Sequence, residues 1–246
     1  MTPSGHPAEP EVIWARPQRA GRGPRPAHSR ESIAAEAVRI ADAEGIEAVS
    51  MRRVAAGIGA GTMSLYNYVP RKEDLYELMV DAVGGEYELT PPTGDWRADL
   101  LALARQTRAL MHRHPWLPRL LTPVYGFSPN ALRYLEHSLD CLAPLDVPDG
   151  EKLELVAAVN GTTATYVAGE LALAERARSL PWTEAAEQAA RNAYLGSRLA
   201  TGQYPRLTAA LTGGADPAPG ATRHAVPDMA AVFDRTVSRL LAAWGP

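Results

Sequence analysis

The sequence predicts an all-α protein in two parts: an N-terminal helix-turn-helix domain of three helices and a larger C-terminal helical domain. Three observations carry this. Apolar residues recur at helical spacing, proline and glycine cut the pattern into segments, and no alternating strand pattern of useful length appears. A short helix, a glycine-bearing turn and a second short helix fit residues 50–68. The divisions are an Arg/Pro-rich arm over 1–28, a helix-turn-helix domain over 29–85 and a C-terminal helical domain over 86–246.

Ser29 opens the first helix, with Ile33, Ala37 and Ile40 on its stripe, Glu31 in its first turn and Gly45 as its stop. Ser50 caps a second, MRRVAAG, whose Met51, Val54 and Ala55 fall at i, i+3 and i+4. Gly57, Gly59 and Gly61 follow. They do not form a dinucleotide loop: Thr62 breaks GxGxxG, the preceding segment is helical, and no βαβ unit follows, although Asp81 lies at the spacing of a ribose-binding acid. Gly59 is placed in the turn, where a left-handed backbone is wanted, and Gly61 opens the recognition helix. Beyond Pro70 another helix begins with Glu73 and Asp74, carries Leu75, Leu78, Met79 and Ala82, and ends at Gly84 and Gly85. Further helices are predicted over roughly 95–113, 129–143, 150–178, 183–200 and 228–244, with a flexible connection from Thr212 to Pro227.

The 246 residues are 46% hydrophobic and carry a net charge of −3, so the chain can build a sizeable core and is not a generally basic nucleic-acid binder. Cys141 is the only cysteine, which excludes an intramolecular disulfide and a cysteine zinc site and fits a reducing cytoplasm. No segment reaches the roughly 18 apolar residues that span a bilayer, and the N-terminus lacks the apolar core of a secretion signal. Basic charge gathers at one end, in Arg16, Arg19, Arg22, Arg25 and Arg30. Rich in proline and glycine, this stretch reads as a mobile arm; it lies either along DNA, in the minor groove or on phosphates, or it is a solvated leader. No GxSxG, P-loop, HExxH or paired-carboxylate constellation is present, so no enzyme is predicted. His112 and His114 stand two apart and do not share a helical face, so they predict no metal site, and no cofactor is expected.

Residues 29–85, with V-A-A-G-I-G-A-G-T-M-S-L-Y-N-Y-V-P-R-K-E-D-L, resemble the DNA-binding domain of the tetracycline-repressor (TetR) family. The resemblance implies phosphate contacts from Ser50, Arg52, Tyr66, Tyr68 and Lys72, and places Thr62, Met63, Ser64 and Asn67 nearest the base edges. Chemistry supports these roles: an amide such as Asn67 can bond adenine twice, and Met63 can touch a thymine methyl. Within 29–85 acids outnumber the bases Arg30, Arg39, Arg52, Arg53, Arg71 and Lys72, so DNA affinity must come from placement and from two copies.

Residues 95–121 and the helices beyond them resemble the regulatory domain of the branch nearest the tetracycline repressor. That implies a homodimer built on two C-terminal helices of each subunit. Residues 150–178, with small residues from Gly161 to Ala164, suit one. Residues 228–244 suit the other, with Val232, Phe233, Thr236, Val237, Leu240, Leu241 and Trp244 on one stripe. Polar and aromatic groups on these apolar helices nominate Tyr125, Tyr134, His137, Asn160, Thr163, Tyr166 and Trp182 as effector-binding. No residues match a tetracycline–magnesium site. The expected protein is a cytoplasmic, homodimeric regulator of double-stranded DNA, a repressor released from a palindrome by a small apolar effector. The competing expectation is a DNA-binding module without an inducer, controlled by abundance or a protein partner.

Overall fold

The computed structural model describes residues 12–16, 28–121, 127–212 and 229–244. Among them are ten α-helices and no strand. The first four are α1 (Arg30–Glu44), α2 (Met51–Gly57), α3 (Thr62–Tyr68) and α4 (Lys72–Gly84). The rest are α5 (Trp96–Arg113), α6 (Pro129–Cys141), α7 (Asp149–Ser179), α8 (Glu184–Leu199), α9 (Pro205–Thr212) and α10 (Met229–Ala242).

The starts follow local chemistry. Ser29 and Ser32 exchange side-chain and backbone hydrogen bonds at the head of α1. Ser50, Asp95, Ser128 and Thr183 accept from first-turn amides of α2, α5, α6 and α8. Gly45, at φ 85°, ends α1. Sequence boundaries hold to within a few residues; α9 and the 3₁₀ turns Ile13–Ala15, Ile46–Ala48 and Leu117–Arg119 were not expected, being too short to show a period. Thr212 closes α9, and the remainder of the expected connection lies outside the described residues.

One part of the predicted arm is corrected. Ile13 is 1% exposed and belongs to the core of α1 to α4. Trp14 hydrogen-bonds Glu77 on α4, and the Arg30 guanidinium donates to the Arg16 carbonyl at 3.1 Å. Two apolar residues among arginines and prolines gave no period to detect, yet burying them offsets the entropy of ordering this turn. Residues 1–11 and 17–27 lie outside the described residues.

Two cores result. The first gathers α1 to α4 and runs past Gly85 to Leu110, Met111, Trp116, Leu117 and Val167. The second joins α5, α6, α7 and α10 around Leu100, Leu103, Tyr134, Leu155, Val159, Phe233 and Val237. Hydrogen bonds stitch the two parts together. Asp42 of α1 accepts from His114 Nδ1 at 2.8 Å and from Trp116 Nε1 at 2.7 Å, and Glu86 faces both His114 and Arg113. His112 turns elsewhere, to Glu170 on α7, so the two histidines serve different interfaces.

Candidate DNA-reading surface and effector cavity

The turn between α2 and α3 is a helix C-cap with both of its characteristic bonds. The Ala60 amide reaches back to the Ala55 carbonyl at 2.8 Å and the Gly59 amide to the Ala56 carbonyl at 3.1 Å. The geometry needs a left-handed residue, and Gly59 supplies it at φ 71°. Gly61 is the N-cap of α3 at φ −74°, a conformation open to any residue, so only one of the alternating glycines is required by the turn.

From this turn α3 projects with a single buried residue, Leu65, held at 1% exposure. Val69 locks the far end. Of the residues nominated for base reading, Met63 is 78% exposed, Ser64 and Asn67 are exposed, and Thr62 is half-buried at the helix start. Tyr66 is exposed, whereas Tyr68 is half-buried against the first core. Ser50 caps α2 through its hydroxyl oxygen, and its exposed edge remains beside Arg52.

Charge is partitioned in a way composition conceals. Arg39 pairs with Glu36, Arg53 with Glu44 and Arg71 with Asp74. The Glu36 carboxyl is held below its usual range by the hydrogen bond from Arg39. Buried Asp74 accepts from both the Arg71 amide and its guanidinium, so it anchors the start of α4. Among the described residues no ion pair occupies Arg52 or Lys72; Lys72 Nζ lies 5.2 Å from the Tyr76 ring centre. The domain is acidic in sum, yet two of its unneutralised cations are those assigned to phosphate.

Behind this surface lies a cavity of about 360 Å³, within the range of small-molecule sites. Its walls are the C-terminal end of α4 (Val80, Val83, Gly84), Leu110 and Met111 of α5, Asn130, Ala131, Tyr134 and Leu135 of α6, and Ala157, Asn160, Gly161 and Ala164 of α7. The Tyr87 and Tyr134 rings meet within it, centres 4.8 Å apart. Burial pushes both phenols above their usual pKa range, so both stay neutral: the Tyr134 hydroxyl donates to Asn160 Oδ1 at 2.8 Å, and that of Tyr87 lies 2.8 Å from Thr107 Oγ1.

The effector nominations therefore divide. Tyr134 and Asn160 line the cavity. Thr163 is fully buried and spends its hydroxyl on the Val159 carbonyl at 2.8 Å. Tyr166 bonds Thr236 and packs on Phe233, facing α10. His137 lies 3.5 Å from the Cys141 sulfur, and burial raises that thiol to about 11, leaving it an unreactive core group. Trp182, 52% exposed, lies on an outer groove with Arg176 and Tyr194. Tyr125 lies outside the described residues. Sequence reasoning missed Tyr87, Met111 and Asn130. Tyr87 sits just past a helix stop and Asn130 in a first turn, where aromatic and amide residues are ordinary.

Asn130 also fastens α6 to α4. Its amide nitrogen and side chain reach Asp81 at 2.7 and 3.0 Å, and Arg133 donates to the Gly85 carbonyl at 3.3 Å. A cavity wall and the root of the DNA-reading domain are thus one element.

A helix-turn-helix with an exposed second helix, joined to a larger helical body, defines the class of helical DNA-binding regulators. Residues 33–79 match the family described as bacterial regulatory proteins, tetR family, and residues 90–218 match the tetracyclin repressor-like C-terminal domain. The HTH-type transcriptional repressor DrrR1 of Streptomyces coeruleorubidus is 40% identical over 199 residues, covering 79% of this chain and 73% of that one. An HTH-type transcriptional regulator of Saccharopolyspora erythraea is 32% identical over 237 residues, covering 95% and 91%. The Streptomyces coelicolor TetR family protein ActR, in complex with actinorhodin, superposes with a TM-score of 0.66 at 25% identity over 88% of this chain and 96% of that one. The chain belongs to the TetR family of DNA-binding transcriptional regulators. No helix among the described residues is long and apolar enough to cross a membrane.

Proposed function

We propose that this protein is a homodimeric repressor that reads a palindromic operator through α3 and leaves it when a small apolar molecule fills the cavity. One observation carries the reading: α4 holds Lys72, which no ion pair occupies among the described residues, at one end and three cavity-lining residues at the other. A helix of its length spans about 20 Å. An occupant that favours one placement of α4 therefore biases where both copies of α3 stand, and half-sites one turn apart, about 34–36 Å, tolerate little change in that spacing. The ligand acts only through its differential affinity for the two placements. The bound state of ActR, which holds actinorhodin in a similar fold, supports a cavity that accepts a small molecule.

Asn67 and Met63 read bases, Thr62 and Ser64 support them, and Ser50, Arg52, Tyr66, Tyr68 and Lys72 hold phosphates. For the dimer, the outer face of α7 offers Thr165, Ala168 and Ala172, all exposed, at spacings that share a helical face and allow close approach. On α10, Phe233, Val237 and Leu241 pack within the subunit, leaving half-buried Val232, Leu240 and Trp244 at the rim for the partner. The protein works in the cytoplasm, where its operator is.

Selection from random DNA with the full chain tests this. The wild type should enrich a palindrome with two half-sites and Tyr66→Ala should not. No enriched sequence at moderate salt would sink the reading.

A further inference from the structure

The cavity's chemistry narrows what it takes. Resting on the effector reading above, we infer that the ligand is an uncharged, flat aromatic molecule that presents a carbonyl-type acceptor to the side-chain amide of Asn160. No Asp, Glu, Lys, Arg or His lines the cavity among the described residues, so an ionised ligand would be desolvated without a counter-charge, at a cost of several kcal/mol.

Shape follows from the lining. The rings of Tyr87 and Tyr134 offer aromatic surface. Ala157, Gly161 and Ala164, a turn apart on one face of α7, add a stretch with no side chain beyond Cβ. Aromatic rings together with a flat stretch of helix suit a planar ring system.

Polarity singles out Asn160. The phenol oxygens of Tyr87 and Tyr134 are already engaged, Ser128 caps α6, and the Asn130 amide is taken by Asp81. The bond from Tyr134 occupies Asn160 Oδ1 and thereby fixes the amide, leaving its NH₂ group with no protein acceptor among the described residues. Half-buried at the cavity wall, this donor discriminates for a ligand acceptor once a ligand shuts out water, because an apolar ligand would leave it unsatisfied.

The test is calorimetric titration of the full-length protein with three probes of one frame: fluorene, 9-fluorenone and 9-fluorenone-2-carboxylate. The wild type should bind fluorenone about fivefold to tenfold more tightly than fluorene, the worth of one neutral hydrogen bond, and the carboxylate about a hundredfold more weakly than the ketone. Asn160→Asp keeps the acceptor for Tyr134 and removes the donor; Asn160→Leu removes both. In each, the preference for ketone over hydrocarbon should vanish while fluorene still binds, which also reports an intact cavity. Equal binding of ketone and hydrocarbon by the wild type, a preference that survives in both variants, or a carboxylate bound as well as the ketone would each overturn the inference and leave the cavity reading standing. Binding of none of the probes by the wild type would overturn both.

Discussion

The α2–α3 turn and the cavity behind α4 are built on opposite principles. The turn places its candidate contacts within one continuous stretch, Ser50 to Lys72, with one left-handed glycine, one cap and one buried leucine to hold them. The cavity draws its walls from α4, α5, α6 and α7, elements up to some eighty residues apart along the chain, and none of them is concave alone. A site made by local geometry can be damaged one residue at a time. A site made by packing changes when any wall moves, and it shares those walls with other tasks.

The largest effect expected from separating the two is on the reading side. Leu65→Ala removes the only buried residue of α3 and should cost about 2–5 kcal/mol of stability in the N-terminal domain. Operator binding should vanish in a mobility-shift assay while fluorenone binding persists. Ile13→Ala probes the same core from outside the helix-turn-helix and should cost about 2–4 kcal/mol in denaturant unfolding. An unchanged midpoint would mean that residues 12–16 do not pack there in solution.

The comparison is sharpened from the other direction by Ala131→Phe, which fills the cavity from α6. Ligand affinity should fall about tenfold or more, equivalent to roughly 1.4 kcal/mol, with operator affinity unaltered in the absence of ligand. A parallel loss of DNA binding would show that the two sites cannot be separated at this wall. Within the reading surface, Asn67→Ala should cost about 1–3 kcal/mol at one base position of each half-site, whereas Lys72→Ala should weaken all sequences alike and lower the salt slope by about one. Uniform losses from both would remove Asn67 from base reading.

The smallest effect is a pH dependence confined to the regulatory body. Burial raises the Glu170 carboxyl, but hydrogen bonds from Arg108 and His112 outweigh it, and the group sits below its ordinary value of 4.5. A lowered folded value means stability present in full above the unfolded pKa and lost as pH falls through the folded one. Melting temperatures should therefore sag more below about pH 4.5 in the wild type than in Glu170→Gln. Equal slopes would detach this carboxylate from acid unfolding.

Legibility in the sequence followed the same division. Met51, Val54 and Ala55 at helical spacing, Ser50 ahead of them and Gly59 behind specified α2 and its turn, and the exposure of Met63, Ser64 and Asn67 follows from their lying off the Leu65 face. Among effector nominations the same polar and aromatic chemistry led to different fates: Tyr134 and Asn160 turn into the cavity, while Thr163 and Tyr166, on the same helix as Asn160, turn into the core. Residues three and six positions apart differ in heading by the helical repeat, and which heading meets a void depends on the neighbouring helix.

By itself, the sequence determined the longer helices, the starts at Ser29 and Ser50, the reading turn and the family, because hydrogen bonds and apolar periodicity act over a few residues. The tertiary structure alone decided that Ile13 joins the first core, that Arg52 and Lys72 have no acidic partner among the described residues while Arg39, Arg53 and Arg71 are neutralised, and that α4 is at once the root of the DNA-reading domain and a wall of the cavity. Pairing of charges and the shape of a void depend on distances between segments remote along the chain, and those distances are fixed only when the helices pack.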